Sequence, residues 1–172
     1  MIEKLKEIIR DDRFKVLLED PSLWSTKDVD YHPPRVERVW LPINDMRLSL
    51  HVIHPCEDGE SLIHPHPWES AMYVLPIGGL YEHQIGFRSE VAPDVFTDTI
   101  VCKQIVEGGM YYEMMDPDGI HSVRPISQPC FSIMLSGKPI WLENSSTIQK
   151  KLVSLSDDRK IEILSIFKNF FI

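Results

Sequence analysis

Cysteine is scarce in this chain and never paired. Cys56, Cys102 and Cys130 stand apart with no Cys-x-x-Cys spacing, so neither an even disulfide framework nor a cysteine-based zinc knuckle is encoded. Reduced and mostly buried thiols are the expected state. Basic residues are in deficit as well: 18 Lys+Arg stand against 26 Asp+Glu, a formal charge of −8. That balance disfavours nucleic-acid backbones and anionic membrane surfaces as partners. No apolar run reaches transmembrane length, and the opening Met1-Ile-Glu-Lys-Leu-Lys-Glu is too charged for a secretory h-region. A cytoplasmic location is expected. Internal repeats and low-complexity tracts are absent too.

What is present describes an ordinary globule. With 172 residues, 43% hydrophobic and 26% charged, one domain with a real core is expected and needs no disulfide staples. Ile2, Leu5, Ile8, Ile9, Leu17 and Leu18 recur among charged residues, which predicts one amphipathic helix or two short ones. The prolines of Tyr31-His-Pro-Pro-Arg35 then make a connector. From Val36 the pattern changes to short β-rich runs: Val36–Leu41, Arg47–His54, Ser70–Ile77, Leu80–Phe87, Asp98–Val106, Met110–Met115, His121–Val123 and Cys130–Leu135, with Pro139–Glu143 a last candidate. Turn residues such as Pro42-Ile-Asn-Asp45, Gly78-Gly79 and Pro117-Asp-Gly119 separate them. Many short strands with such punctuation predict an all-β sandwich or barrel. Ser154-Leu-Ser-Asp157 resembles a helix cap, and the helical spacing of Ile161, Leu164, Phe167, Phe170 and Phe171 predicts a final packing helix. The chain thus divides into a helical lead-in over 1–35, a β-barrel over 36–143 and a C-terminal helix over 144–172. That helix would pack on the barrel or on a second subunit, so a homodimer is one expected assembly.

Chemistry concentrates in the histidines. In the run Gly59 to Gly78, His64 and His66 are two residues apart and bracketed by Pro65 and Pro67. In an extended strand both rings project from one face toward a common ion. His121, after Pro117-Asp-Gly119, is the natural third ligand. His54 and His83 could reach the same cavity from facing strands, whereas His32 and His51 read as structural or solvent-facing. Three imidazoles leave open positions that suit non-haem Fe(II), while Zn, Mn, Ni and Co accept the same donors.

The His-x-His pair with a following glycine, answered by Pro-x-Gly-x-His, resembles the two motifs of the cupin superfamily. The resemblance implies a cupin-type jelly-roll β-barrel with the metal in its mouth. In most metal-binding cupins a glutamate ligand follows the second histidine, where this chain has Ala71; Glu69 comes two residues early. A three-histidine site without that glutamate is similar to the thiol dioxygenases, the cysteine dioxygenase-like branch, and also to certain diketone dioxygenases; Leu80-Tyr-Glu82 and Gly119-Ile-His121-Ser-Val-Arg resemble the thiol dioxygenase branch. That branch carries a Ser-x-His-x-Tyr line on a late strand. Here Ser132 keeps the serine, while Met134 and Ser136 replace the histidine and tyrosine. Family position makes Arg47 the candidate for a substrate carboxylate. Substrates other than free cysteine are therefore expected.

Three function classes follow. The first is an Fe(II) dioxygenase that inserts O2 into a small thiol or other chelating metabolite. The second is a cupin isomerase, hydrolase or lyase using Zn, Mn or Ni. The third is a small-molecule-binding cupin without turnover. For the enzyme readings Glu69 is the candidate base, and Tyr73, Tyr81, Tyr111 and Tyr112 are candidate donors near the reacting atoms. Trp68, Met72, Met134 and Trp141 are candidates for an apolar wall.

Overall fold

The computed structural model describes residues 1–66, 68–116, 118–139 and 153–171. The expected N-terminal helix is two helices, α1 (Ile2–Arg10) and α2 (Asp12–Glu19). Asp11 divides them: its backbone is extended, and its side chain accepts the Arg13 N–H at 2.9 Å, capping α2. A 3-10 turn, Pro21–Leu23, then leads into the strands, ten among the described residues: β1 (Ser25–Val29), β2 (Val36–Ile43), β3 (Met46–Ile53), β4 (His64–Pro65), β5 (Trp68–Gly78), β6 (Tyr81–Ala92), β7 (Val95–Val106), β8 (Tyr111–Met114), β9 (Gly119–Pro125) and β10 (Cys130–Pro139). The last helix, α3 (Asp157–Phe171), starts with the Ser156 hydroxyl accepting the Arg159 N–H at 3.2 Å.

β1 falls inside the segment expected to be a helical lead-in, β6 runs on past its expected end at Phe87 to Ala92, and β7 starts at Val95, ahead of its expected start at Asp98, and ends at Val106 as expected. Of the expected strand Pro139–Glu143, only Pro139 is among the described residues, where it ends β10. Trp141 lies outside them.

Six strands form one antiparallel sheet in the order β1-β2-β3-β10-β5-β8, and four form a second in the order β4-β9-β6-β7. The Asn44-Asp45 turn between β2 and β3 pairs Ile43 with Met46, and Asn44 takes a positive φ of 54°, as two-residue hairpin turns require. Gly78 is a position that only glycine satisfies: its φ is +93°, and an added Cβ would sit 2.4 Å from the Pro129 carbonyl oxygen.

Strand alternation gives the six-stranded sheet two unlike faces. Outward point Val39, Leu41, Leu48, Leu50, Ile133 and Leu135, which pack with Leu5, Phe14, Leu18, Ile163, Leu164 and Phe167 of the helices into the main core. Glu37, buried on that outer side, accepts from Arg159 of α3 at 2.6 and 2.7 Å and lies 2.7 Å from His54 Nε2. Burial opposes ionisation of this carboxyl, but its hydrogen bonds to Arg159 and His54 outweigh burial and hold it at about 2. The inner face looks toward the second sheet, where a smaller apolar cluster of Met72, Val74, Tyr81, Val106, Cys130 and Met134 fills part of the interior. The architecture is all-β, a jelly roll flanked by N-terminal helices and a C-terminal helix.

Candidate metal centre

The four-stranded sheet assembles the histidines by register. His64 on β4 stands opposite His121 on β9, and His121 stands opposite Ile85 on β6. Directly paired residues share a face, as do residues two apart, so His64, His121, Ile85 and His83 all point inward. His66, just past β4, is anchored by its N–H to the Gly119 carbonyl at 2.9 Å. His121 is the hub. Its ring centroid lies 4.9 Å from that of His66 and 5.3 Å from that of His83, and its Nδ1 is 3.1 Å from His83 Nε2. The half-buried His32 ring packs 4.5 Å from His64 at the edge of this group.

Burial makes these rings neutral. It pushes His64, His66 and His83 down to about 4, and His121 falls well below its ordinary value through burial and then its histidine neighbours. Neutral imidazoles carry the lone pairs that a metal needs. His64 Nε2, His66 Nδ1 and His83 Nδ1 are buried with no hydrogen-bond partner, and a buried polar atom left so is costly unless something completes it. Donor type and charge state therefore fit a divalent transition metal. Among the described residues, no group of three or more His, Cys, Asp or Glu is so placed that it could hold a metal ion.

The other expected site residues separate sharply. Ser70 holds the inward position after His66, with Oγ 3.4 Å from His66 Nε2. Ala71 turns outward into the main core. Glu69 is exposed, because inward Ser70 leaves its neighbour on the opposite side of the strand. Tyr73 also points outward, stacked on Tyr111 at 4.4 Å and facing Phe170 of α3. His54 belongs to the Glu37 cluster on the outer face. Of the tyrosines, Tyr112 approaches the histidines: its ring is 4.7 Å from His83, and its hydroxyl is 2.8 Å from that of Tyr81. Burial pushes both phenols above their ordinary value. Trp68 lies 5.0 Å from His66, and Met72 and Met134 are buried on the inner side.

Arg47 does reach the interior, accompanied by residues the sequence did not single out. Arg38 is one, and its Nε donates to His51 Nε2 at 3.0 Å. Of the two states expected for His51, structural or solvent-facing, the structure shows it buried, and the Ser132 hydroxyl lies 3.4 Å from its Nδ1. The signal for Arg38 was the alternation of β2: with Val39 and Leu41 in the outer core, Arg38 had to face in.

Comparison with solved structures finds this architecture elsewhere. A structure of FeII HppE superposes with a TM-score of 0.50 at 10% identity over 68% of this chain and 57% of that one. The fold is the cupin jelly roll. Hydroxypropylphosphonic acid epoxidase from S. wedmorenis gives a TM-score of 0.49 at 10% identity over 67% of this chain and 56% of that one. KdgF from Halomonas sp. gives 0.43 at 13% identity over 64% and 87%. This chain thus spans somewhat over half the length of the first two neighbours, and the likeness concerns fold. No protein-family model matches the sequence, and no curated protein does either. No helix among the described residues is long and apolar enough to cross a membrane.

Proposed function

We propose that this cupin is a metal-dependent oxidoreductase in which His64, His66 and His121 hold one divalent ion, Fe(II) by preference, and which inserts O2 into a small thiol or other chelating metabolite. The observation that carries the reading is the gathering of neutral, partly orphaned imidazoles on one inward face, with serine at the position next to His66. A bound ion would supply open positions for a chelating substrate and for oxygen. Zn, Mn, Ni or Co in the same donors would instead serve Lewis-acid chemistry, the alternative outcome of the test below.

The protein's own groups have definable tasks. His83 orients the His121 ring through the nitrogen contact at 3.1 Å, the kind of outer contact that fixes a ligand's tautomer. Tyr112, kept protonated by burial and paired with Tyr81, can offer a hydroxyl proton close to the histidines. Met72 and Met134 exclude water from one side. Glu69 and Tyr73, both pointing away, have no task at the reacting atoms in this arrangement.

The test is metal content and oxygen uptake. Protein purified anaerobically and loaded with Fe(II) should bind about one ion per chain, and it should consume O2 only when a chelating thiol or diketone is present. His121→Ala should abolish both. Undiminished metal stoichiometry in that variant would end the three-histidine assignment. Tight zinc with no oxygen uptake across the panel would move the reading to the Lewis-acid class.

A further inference from the structure

Opposite the histidines, the inner face of the six-stranded sheet is cationic. Lys27 pairs with Arg38 across β1 and β2, Arg38 with His51 across β2 and β3, and Arg47 faces in four residues before His51. Trp40 stands opposite Ser49, between the levels of the two arginines. The Arg47 guanidinium lies over the Trp40 ring at 5.8 Å, so its side chain leans back toward Arg38. The inward-facing positions of all six strands include no aspartate or glutamate. Among the described residues no carboxylate forms an ion pair with Lys27, Arg38 or Arg47, and Arg47 Nε is buried without a partner.

Such a cluster is costly to hold empty-handed. Burial lowers the affinity of all three groups for their protons, and repulsion from the arginines adds to this for Lys27 and Arg38. Arg38 is pushed down to about 10 and stays charged at neutral pH. Unpaired cations in a low-dielectric interior persist at the expense of stability, and in a chain of net charge −8 nothing outside the barrel calls for them.

We propose that Arg38, Arg47 and Lys27 form the binding site for a substrate head group bearing two negative charges on oxygen. The planar forks of the arginines suit bidentate contact with such an oxyanion. Arg47 stands opposite Ser136 and Ser136 opposite Ser70, whose Oγ lies 3.4 Å from His66 Nε2, so one small molecule can span both groups, with its charged end on the arginines and its chelating end at the histidines. A single arginine would serve a monocarboxylate; this face offers more positive charge and repels an ammonium. The substrate class is therefore a small organic dianion with a donor atom a few bonds from its charged end. This assignment rests on the proposed function for the reacting end alone.

The test separates the two. Metal-stripped protein is titrated calorimetrically with inorganic phosphate and malonate as dianions, acetate as monoanion and L-cysteine as zwitterion. Both dianions should bind at least about tenfold more tightly than acetate or cysteine, a difference of about 1.4 kcal/mol. Arg38→Gln and Arg47→Gln should each lose most of that binding while remaining folded by circular dichroism, and Arg38→Lys should retain part of it. Equal affinity for mono- and dianions, or dianion binding unchanged in both glutamine variants, overturns the assignment whatever the metal experiment returns. If a glutamine variant fails to fold, the wild-type comparison of dianion against monoanion decides alone. Preference for only one of the two dianions supports the site and selects tetrahedral or dicarboxylate geometry.

Discussion

The two faces of the six-stranded sheet are made by the same strands and do opposite things. On β2 and β3, Val39, Leu41, Leu48 and Leu50 go out to the helices, while Arg38, Trp40, Arg47, Ser49 and His51 go in toward the histidines. The outer face removes apolar area from water and makes the molecule stable. The inner face keeps polar and cationic groups out of water with few partners, which works against stability and is what the proposed recognition role requires. Stability and chemistry are thus divided by residue parity along a strand.

That division can be broken first from the outside. Phe167 of α3 is fully buried in the outer core, and Phe167→Ala should cost about 3–5 kcal/mol. Chemical denaturation would measure the loss, and metal stoichiometry of the folded fraction should not change. A variant that lost metal in step with stability would show the faces to be coupled.

Acid should attack the inner side next. In the folded metal-free protein His64, His66 and His83 are neutral down to about 4, whereas in the unfolded chain they protonate near 6.5. The unfolded state therefore takes up protons first as pH falls. The stability present above pH 6.5 should decline through that window and level off near 4, by on the order of 3 kcal/mol for each fully buried ring. A melting temperature flat from pH 7 to 5 contradicts the neutral-imidazole picture. The smallest effect is expected at Glu69, which is exposed and turned from the histidines. Glu69→Gln should leave stability within about 0.5 kcal/mol and leave turnover of the metal-loaded protein unchanged; a large drop in rate would restore it as a base.

Much of the site could be read in advance because it depends on local spacing. His64 and His66 share a face by strand geometry, and Gly78 is where the chain needs a positive φ and a close carbonyl. What escaped was facing. On β5 both sides are buried at Ser70, Ala71, Met72, Val74 and Leu75, so hydrophobic alternation cannot tell which set looks inward, and a one-residue offset exchanges them all. Ala71 in place of Ser70, and Tyr73 in place of its inward neighbours Met72 and Val74, are that one ambiguity seen twice. The alternation of β2 could show that Arg38 faces in, but its place beside His51 needed knowledge of which strands pair, which is not local. The outer halves of β6 and β7 carry too little burial to leave an alternating signal: from Val95 to Lys103 every residue of β7 is exposed.

The position of α3 sets an order on how the molecule can be made. Ile163, Leu164 and Phe167 share one cluster with Leu5 and Phe14 from the opposite end of the chain, and Glu37 waits for Arg159. During synthesis the barrel strands emerge with their apolar outer side uncovered, and they stay so until that final helix leaves the ribosome. A nascent chain stalled before residue 157 should be a client for chaperones.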